Sequence, residues 1–517
     1  MTQADQVPKR GRHLPWMGER LWLTLIVALA VALRLYHIHV PFIDVSDWRQ
    51  TDTASIAYFY YHFGIRLLHP QLWHDGRGPD YTQLEFQISP AIAALLAHIF
   101  GFTDVLLRSI AIGFYALSTV PLWSLTRRYF GPRAALWAAL CYAILPVSIF
   151  FGRAFQPEPA MVFCGNWALW AVDRWADRRG VLRYLGAMAV LTLAVLAKLP
   201  NGLLLLPAVL LAYGRDLWNW RAMFRVGRLT SVALLALVPA FLAAAYTIIQ
   251  GRIASSSGGT QYVKFIVTSL HENYIAGANS LTHFLWHNMV GMAITPAGGV
   301  MAIIGLFTLF RRRNVSWVWG WGLALVFYGV VVLRAIRFQY YLMPLLPWLA
   351  MMMGVGIAAV IDSGARLPSR LARALGPAVA VCVVASILSG GLFEIQGYWP
   401  PYWPWYYLGL FVKQHTPPDA TLATTGTFNP TVLYYAQRHA FRNDTLDLAT
   451  LRSDMAGGAT YLLDEGSVST CLVNYLNANF PHWDSQGDIL YQLAGPGVPP
   501  QLTVDLLEGT PTLNGCN

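Results

Sequence analysis

The sequence predicts a mainly α-helical, polytopic membrane bundle with a small α/β domain at its C-terminal end. Of the 517 residues, 56% are hydrophobic, and the mean hydropathy is +0.44, values typical of membrane proteins rather than soluble enzymes. Apolar runs long enough to cross a hydrocarbon core of about 30 Å recur as far as about residue 395. Beyond that point the runs become short and alternate with turns, which is typical of a small α/β domain.

About eleven membrane spans are expected from these runs. Two of them follow each other with almost no loop, because only Lys198, Pro200 and Asn201 interrupt the apolar sequence there. Twenty Trp and 25 Tyr would suit aromatic belts at the two membrane interfaces. The spans are predicted at 21–41, 105–126, 133–151, 157–173, 182–197, 199–214, 229–249, 290–310, 315–333, 339–361 and 375–395.

Lys and Arg residues are concentrated in every second loop, which predicts the orientation by the positive-inside rule. The basic segments are 9–20, 127–133, 174–183, 215–228, 311–313 and 366–373. We therefore expect the N-terminal segment 1–20 in the cytoplasm of a bacterium and the spans in its inner membrane, with no removable signal peptide. Because the basic residues are dispersed over short loops, the formal charge of +10 does not indicate a nucleic-acid partner.

An odd number of spans places the C-terminal part on the outer face, periplasmic or extracellular. The expected organisation is a cytoplasmic segment 1–20, a transmembrane domain 21–396 and an outer domain 397–517. The segment 395–517 holds four Lys or Arg and ten Asp or Glu, so its charge is opposite to that of the membrane part. In that oxidising setting Cys471 and Cys516 could form a disulfide.

The elements of the outer segments follow from their periodicity. In the long loop 42–104, Ala54 to Phe63 and Pro90 to Phe100 read as helices along the membrane surface, and Tyr262 to Leu270 reads as a third. Prolines and aromatic residues stiffen the junction from Gly397 to Tyr407. In the outer domain, strands are predicted near 420–424, 459–463 and 488–493, and helices near 429–437 and 469–478.

Acids and cations are crowded into the start of the loop 42–104, at the end of the first span. The cluster consists of Asp44, Asp47, Trp48, Arg49, Gln50 and Asp52. An ordinary solvated loop would also be acidic, but this composition combines carboxylates, a stacking surface and directional hydrogen-bonding groups. Asp44 or Asp47 could remove a proton from a hydroxyl, and the remaining four side chains could orient the molecule that carries it. Ionisable groups at the membrane surface of an apolar chain indicate function.

Two further acids belong to the same outer face. Glu85 precedes an apolar helix, so it is either a favourable first-turn acid or a metal ligand facing the cluster. Glu158 lies in the loop 151–159, where it could pair with Arg153 or contact a sugar. Histidines 271, 283 and 287 of one outer loop could complete a divalent metal site with Glu85, although their spacing alone is no metal signature.

Four cations on the outer face break the positive-inside pattern. They are Arg153, Lys198, Arg334 and Arg337. Each has an ordinary explanation, an ion pair for Arg153 or snorkelling for Lys198. Their natural common partner is a phosphate at the depth of lipid headgroups. Tyr340, which follows the last of them, is expected beside that phosphate.

The arrangement resembles the GT-C superfamily of membrane glycosyltransferases, in particular the protein O-mannosyltransferases and lipid A aminoarabinose transferases. The likeness covers the membrane part and rests on the string from Trp48 to Thr53, Glu85 before its helix, the Gly152-to-Pro159 loop, Lys198 between two spans, and Arg337 to Pro344. The Asp-Glu pair usual in the family is absent here, and Glu158 stands where many members have aspartate.

The resemblance implies a reaction and its parts. An aspartate of the first outer loop, here Asp44 or Asp47, would activate a hydroxyl of a glycan, lipid or protein acceptor. The donor would be a sugar on a polyprenyl-phosphate carrier, transferred with inversion, and a divalent ion held by Glu85 and a histidine such as His271 is implied for some members. A transporter or flippase of lipid-linked sugars is the alternative, but it would be expected to keep charges at mid-membrane. A scaffold whose outer domain merely binds glycan would not need the membrane acids.

Overall fold

The computed structural model describes residues 16–214, 224–254, 276–277, 280–312, 314–334, 336–425, 430–443 and 445–509. These residues form a mainly helical bundle and a small sheet, in agreement with the predicted fold class. Tyr262 to Leu270, His271 and Cys516 lie outside the described residues. Cys471 is disulfide-bonded.

The membrane part is built from helices that follow the predicted apolar runs. They are α1 (Trp16–Arg34), α2 (Asp47–Phe63), α3 (Ile88–Phe100), α4 (Asp104–Phe130), α5 (Pro132–Ile144), α6 (Pro146–Phe151), α7 (Pro157–Asp177), α8 (Val181–Ala197), α9 (Leu205–Tyr213), α10 (Val226–Ile253), α11 (Leu281–His283), α12 (Pro296–Leu309), α13 (Ser316–Val331), α14 (Leu346–Gly364) and α15 (Arg370–Ile395). A π-helix, Phe284–Ile294, continues α11, and 3₁₀ turns cover Leu199–Leu204, Gln339–Leu345 and Gln396–Tyr398.

Four helical segments within the described residues are long and apolar enough to cross a membrane: Asp104–Phe130, Val226–Ile253, Gln339–Gly364 and Arg373–His415. A bent pair, Leu281–Ile294 and Pro296–Leu309, is a fifth candidate. Shorter apolar helices, such as α8 and α13, occupy other predicted spans. The structure therefore supports several apolar helices, and the count of eleven spans stays a prediction.

Two predicted spans are interrupted for local reasons. The run at 290–310 is broken by 74° between the π-helix and α12, because Thr295 adopts a left-handed backbone (φ 59°) immediately before Pro296. The closely spaced pair near 182–214 becomes α8, a 3₁₀ turn and α9, with Lys198 extended at the break. These interruptions leave Lys198 among the residues at the end of the bundle that α2 covers.

The C-terminal part contains α16 (Trp403–His415), α17 (Pro430–Ala436), α18 (Leu448–Ala456), α19 (Thr470–Asn479) and α20 (Pro500–Glu508). Its five strands are β5 (Thr421–Thr424), β6 (His439–Arg442), β7 (Tyr461–Asp464), β8 (His482–Ser485) and β9 (Asp488–Gln492), in the order β6-β5-β7-β9-β8. β5 pairs in parallel with β6 and β7, whereas β9 is antiparallel to β7 and β8. The predicted strands correspond to β5, β7 and β9, and the predicted helices to α17 and α19. Four short two-residue strands complete the list: β1 (Gln71–Leu72) pairs with β2 (Asp80–Tyr81), and β3 (Ala276–Gly277) with β4 (Ile336–Arg337).

The C-terminal part is attached to the loop 42–104 at two places. Along its edge, the Gly76 amide donates to the Ala440 carbonyl (2.9 Å), and the Ala440 amide donates to Trp73 (2.8 Å). At α17, the hydroxyls of Tyr434 and Tyr435 donate to the two carboxylate oxygens of Asp104 (2.9 and 2.8 Å). The loop 42–104 is therefore held between the bundle and the C-terminal part.

Candidate active site

The site begins with α2, whose N-terminal half is polar yet buried. Ser46 turns the chain through a left-handed conformation (φ 62°) directly before the helix begins at Asp47. Asp47, Arg49, Gln50 and Asp52 are all less than 9% exposed. Because a buried charge without partners is costly, their neighbours decide what each can do.

Asp44 is held by three donors. Arg108 Nη2 (3.1 Å) and Arg153 Nη2 both donate to its Oδ2, and Gln50 Nε2 donates to Oδ1 (2.7 Å). Burial alone would raise the pKa of this carboxyl, but Arg108 and Arg153 bring it below its ordinary value. Asp44 is therefore a charged anchor that joins the first loop to two parts of the bundle.

Arg153 lies in this first network and not in an ion pair with Glu158, the ordinary alternative suggested by the sequence. Its guanidinium also stacks over the rings of Trp399 (4.5 Å) and Phe150 (4.9 Å). Arg153 is only 1% exposed. A phosphate bound here would have to exchange with the Asp44 carboxylate.

A second network surrounds Glu85. Arg49 Nη2 donates to Glu85 Oε2 (2.6 Å), and Lys198 Nζ lies 3.8 Å from Glu85 Oε1 while it also pairs with Glu158. Burial opposes ionisation of Glu85, but the two cations lower its pKa to about 2. Lys198 Nζ lies 4.5 Å from the ring centroid of Tyr341. Four of the predicted site residues, Arg49, Glu85, Glu158 and Lys198, therefore lie together here.

Aromatic rings join the two networks. Tyr340 is buried, and its ring lies 5.8 Å from the ring of Phe151 and 5.4 Å from that of Phe338. Phe338 in turn lies 5.9 Å from Trp48 of the acid cluster. These rings form a chain of aromatic contacts that runs from Phe151 to Trp48.

Asp47 and Asp52 form a third region, on the first turns of α2. The Thr431 hydroxyl of α17 donates to Asp47 Oδ2 (2.8 Å). Asp52 Oδ1 is buried without a hydrogen-bond partner among the described residues. Burial raises the pKa of Asp52 to about 7, with Asp47 and Glu85 raising it further and Arg49 and Arg442 lowering it. A carboxyl of that pKa can take or give a proton near neutral pH.

The two remaining predicted cations, Arg334 and Arg337, differ in their exposure to solvent. Arg337 is buried, and its Nε donates to the Arg334 carbonyl (3.1 Å). The Arg334 side chain itself is exposed, so the structure does not bring it into the buried networks. Two of the four predicted phosphate ligands, Lys198 and Arg153, belong to the charge networks described above.

The predicted metal site is not supported by its surroundings. Glu85 lies between Arg49 and Lys198, and these two cations disfavour a divalent ion there. His283 and His287 lie side by side (ring centroids 4.4 Å apart), but both are exposed. The described residues contain no group of three His, Cys, Asp or Glu that could hold a metal, and His271 lies outside them.

A small cavity opens beside Glu85 between α8 and α10. Its volume is about 30 Å³, and Gln83, Glu85, Leu199 and Tyr246 are among its walls. Gln83 and Leu84 are tied to α10 through the Thr247 carbonyl and the Gln250 amide oxygen (2.7 and 2.9 Å). Only a side chain or a water fits this space as the helices stand.

Several site residues escaped sequence reasoning. Arg108 lies inside a predicted span, and its only signal was a lone guanidinium in an apolar run one helical turn after Asp104. Thr431, Tyr434 and Tyr435 come from the C-terminal part and reach the first loop only through the fold. No local pattern distinguishes them from ordinary helix residues.

Comparison with known proteins supports the fold. Residues 88–247 match the family model described as dolichyl-phosphate-mannose-protein mannosyltransferase. ArnT from Cupriavidus metallidurans, solved bound to undecaprenyl phosphate, has a TM-score of 0.62 at 13% identity, over 93% of this chain and 99% of that one. No match was found among curated protein sequences.

Two other solved proteins share the architecture. The Archaeoglobus fulgidus oligosaccharyltransferase, tethered to an acceptor peptide, has a TM-score of 0.61 at 14% identity, over 94% of this chain and 75% of that one. Other structures of it hold zinc and sulfate, or an inhibitory peptide and a dolichol-phosphate. The mycobacterial arabinofuranosyltransferase AftD has a TM-score of 0.51 at 14% identity, over 92% of this chain and 40% of that one. The predicted resemblance to GT-C glycosyltransferases is confirmed, and at these identities it establishes the fold.

Proposed function

We propose that this chain is an integral-membrane glycosyltransferase that moves a sugar from a polyprenyl-phosphate carrier to a hydroxyl-bearing acceptor. The observation that carries the proposal is the buried set of acids and cations around α2, at one end of an apolar bundle of GT-C type. ArnT with undecaprenyl phosphate and the archaeal enzyme with dolichol-phosphate supply the donor class by analogy. The acceptor, a glycan, lipid or protein, is left open by the site.

The arrangement in the membrane is part of the proposal. About eleven spans would place residues 1–20 in the bacterial cytoplasm, the catalytic bundle 21–396 in the inner membrane and the domain 397–517 in the periplasm. The alternating basic loops support this orientation. The disulfide of Cys471 also supports it, because disulfides persist in oxidising compartments.

We assign proton removal to the coupled acids Asp47 and Asp52, and an anchoring role to Asp44. Both oxygens of Asp44 already accept from cationic or amide donors, and its lowered pKa makes it a weak base. The pKa of Asp52 is raised to about 7, by burial above all and also by the nearby charges of Asp47 and Glu85. Together they can accept the proton of an acceptor hydroxyl, which then attacks the anomeric carbon from the face opposite the leaving group, with inversion.

The leaving polyprenyl phosphate needs a cation, and Lys198 is our first choice. It stands at the break between α8 and α9 and directly beside the small cavity at Glu85. A donor phosphate would replace Glu158 as its partner, which frees the Glu158 carboxylate to contact sugar hydroxyls together with Arg49, Gln50 and Trp48. Arg153 and Arg337 would add positive charge around that position, and Arg334 would do so from the surface.

The decisive experiment is transfer in proteoliposomes with a panel of radiolabelled polyprenyl-phosphate sugars, followed by mass spectrometry of the products. We expect transfer of at least one sugar, and a loss of at least about a hundredfold in Asp47→Asn and Asp52→Asn, the size typical of a missing general base. Asp484→Asn, an exposed carboxylate on β8, is the matched control and should keep full activity. Full activity in both site variants would refute the assignment of the base.

The proposed reaction does not require a divalent ion. Because the surroundings of Glu85 do not suit a cation, no step of the proposed reaction passes through a metal. Dialysis against EDTA followed by elemental analysis and re-addition of Mg²⁺, Mn²⁺ or Zn²⁺ tests this choice. Activity that disappears with a bound stoichiometric metal and returns on re-addition would restore the predicted Glu85 and histidine site.

A further inference from the structure

The end of the bundle opposite the candidate site carries a second concentration of charge. On α4, Arg108 binds Asp44 at the site, and Arg128 lies twenty residues further on, about 30 Å along a helix. On α10, Gln250 contacts the first loop, whereas Arg228 lies at the other end. The two charged regions are therefore separated by roughly the length of a membrane span.

A cavity of about 730 Å³ lies at this opposite end. Its walls come from the last turns of α4, α7 and α9, the first turn of α10 and the segment before α13. Its charged lining within the described residues consists of four arginines and two aspartates: Arg128, Arg179, Arg228, Arg312, Asp173 and Asp177. Such a volume is in the range of small-ligand sites, and the lining is net positive.

The arginines are oriented by backbone carbonyls at the ends of helices. Arg179 Nη2 donates to Ala212 (2.6 Å), Arg228 Nη2 to Tyr213 (3.2 Å), and Arg312 Nη1 to Tyr129 (2.9 Å). These carbonyls belong to the last turns of α9 and α4, where the helix dipole favours a cation. The contacts fix where the guanidinium groups stand around the cavity.

Aromatic faces restrict the same groups further. Arg179 lies over the ring of Trp175 (4.2 Å), and Arg312 lies over Phe130 (5.3 Å). The two lining aspartates are on the Arg128 side of the cavity, where Asp177 accepts from Arg128 Nη2 (2.8 Å) and Asp173 lies 3.4 Å from Nη1. A guanidinium has five N–H donors in a planar fork, a geometry that matches the oxygens of a phosphate.

We propose that this cavity binds a phosphate-bearing anion that links the ends of α4, α7, α9 and α10. Positive loops alone would explain scattered surface arginines, but not four of them fixed around one cavity. Phosphate suits the planar guanidinium fork, and a basic pocket between helix ends at the membrane surface suits a lipid headgroup. The phosphate can come from an anionic lipid or from a soluble phosphate compound.

The test measures thermal unfolding of the purified full-length chain in detergent, after lipid removal, with three additions: phosphatidylglycerol, phosphatidylcholine and inorganic pyrophosphate. We expect a concentration-dependent rise of the melting temperature with a phosphate anion, because a ligand that binds only the folded state stabilises it. In the double variant Arg179→Gln/Arg312→Gln, half-saturation should need about tenfold more ligand. The control Arg366→Gln/Arg370→Gln removes two exposed charges outside the cavity and should behave as the parent chain.

The three additions distinguish a lipid headgroup from a soluble phosphate compound as the source of the bound phosphate. A rise with phosphatidylglycerol alone identifies a lipid headgroup, and a rise with pyrophosphate identifies a soluble phosphate compound. If the cavity variant and the control respond alike, or if no phosphate anion raises the melting temperature of the parent chain, the proposal is wrong. Arg312→Gln alone, which alters one exposed side chain, gives the same comparison should the double variant fold poorly. Retention of phosphatidylglycerol in native mass spectra provides a readout independent of unfolding.

Discussion

Asp44 and Asp52 are buried aspartates of the same loop region, yet their surroundings are opposite. Asp44 accepts hydrogen bonds from two guanidinium groups and one amide, and its pKa is lowered. Asp52 has an oxygen without a partner among the described residues, and its pKa is raised to about 7. Burial is nearly equal, at 4% and 8% exposure, so the number of donors and not the burial decides the charge state.

The difference follows from what each residue faces. Asp44 precedes α2 and faces the bundle, where Arg108 and Arg153 come from α4 and the loop before α7. Asp52 lies further along α2 and is affected electrostatically by Arg442 of the sheet and by the acids Asp47 and Glu85. A carboxylate surrounded by cations is suited to hold segments together, and one among other acids is suited to exchange protons.

Removing the charge of Asp44 should give the largest effect. Asp44→Asn leaves Arg108 and Arg153 buried beside a neutral group, a loss of about 3–5 kcal/mol for a broken buried ion pair. We expect a strongly lowered melting temperature in detergent or loss of the folded chain, checked by fluorescence-detected size exclusion and thermal unfolding. Asp484→Asn should leave both measurements unchanged. A stable but inactive Asp44→Asn would instead make Asp44 the base and reverse the comparison.

Asp52 should destabilise the folded chain as pH rises. Its pKa is about 7 in the folded chain against 3.8 as the ordinary value, so the folded state binds the proton more tightly. The contribution of Asp52 to the free energy of unfolding is therefore greatest below about pH 4, falls as pH rises to about 7 and changes no further above that. The difference corresponds to about 4 kcal/mol. Asp52→Asn should flatten the melting temperature between pH 5 and 7, and an unchanged slope would contradict the raised pKa.

The same contrast shows how far the sequence predicts the molecule. Apolar runs predicted the helices, and the C-terminal periodicity predicted β5, β7 and β9, because burial in a helix or strand leaves a local pattern. The acid cluster at Asp44 to Asp52 was also visible as a local concentration of charge. The different surroundings of Asp44 and Asp52 could not be predicted from that local pattern, because Arg108, Arg153 and Arg442 come from distant segments.

The edge strands β6 and β8 escaped prediction for a related reason. They read His439-Ala440-Phe441-Arg442 and His482-Trp483-Asp484-Ser485, short and mixed in polarity, as edge strands often are. The sequence offered an Arg153–Glu158 ion pair as the ordinary alternative for Arg153, and the structure instead pairs Arg153 with Asp44 and Lys198 with Glu158. The sequence suggests a pair of close neighbours, whereas packing selects partners that are 109 and 40 residues apart along the chain.

A substitution at Thr431 tests whether the C-terminal part affects catalysis through its hydrogen bond to Asp47. Thr431→Val keeps the shape but removes the hydroxyl that donates to Asp47 (2.8 Å). A lost hydrogen bond to a charged group is worth about 1.5 kcal/mol, so the catalytic efficiency kcat/KM should fall about tenfold. Thr431→Ser should restore it, because serine keeps the donor. An equal loss in the Val and Ser variants, with unchanged folding, would show that the methyl packing and not the hydrogen bond matters.

Arg442 should give the smallest and most specific effect. It lies on the edge strand β6, is exposed, and lowers the pKa of Asp52 across the contact between the sheet and the first loop. Arg442→Gln should therefore raise the apparent pKa of the acidic limb, in the pH profile of kcat/KM, by about half a unit. This is the size expected for a charge screened by solvent. Raising the salt concentration should produce part of the same shift in the parent chain. Arg452→Gln, a change of the same kind on α18, should leave that apparent pKa unchanged. A limb that does not move in Arg442→Gln would mean that the bundle alone sets the proton affinity of Asp52, and that the sheet contributes position without charge.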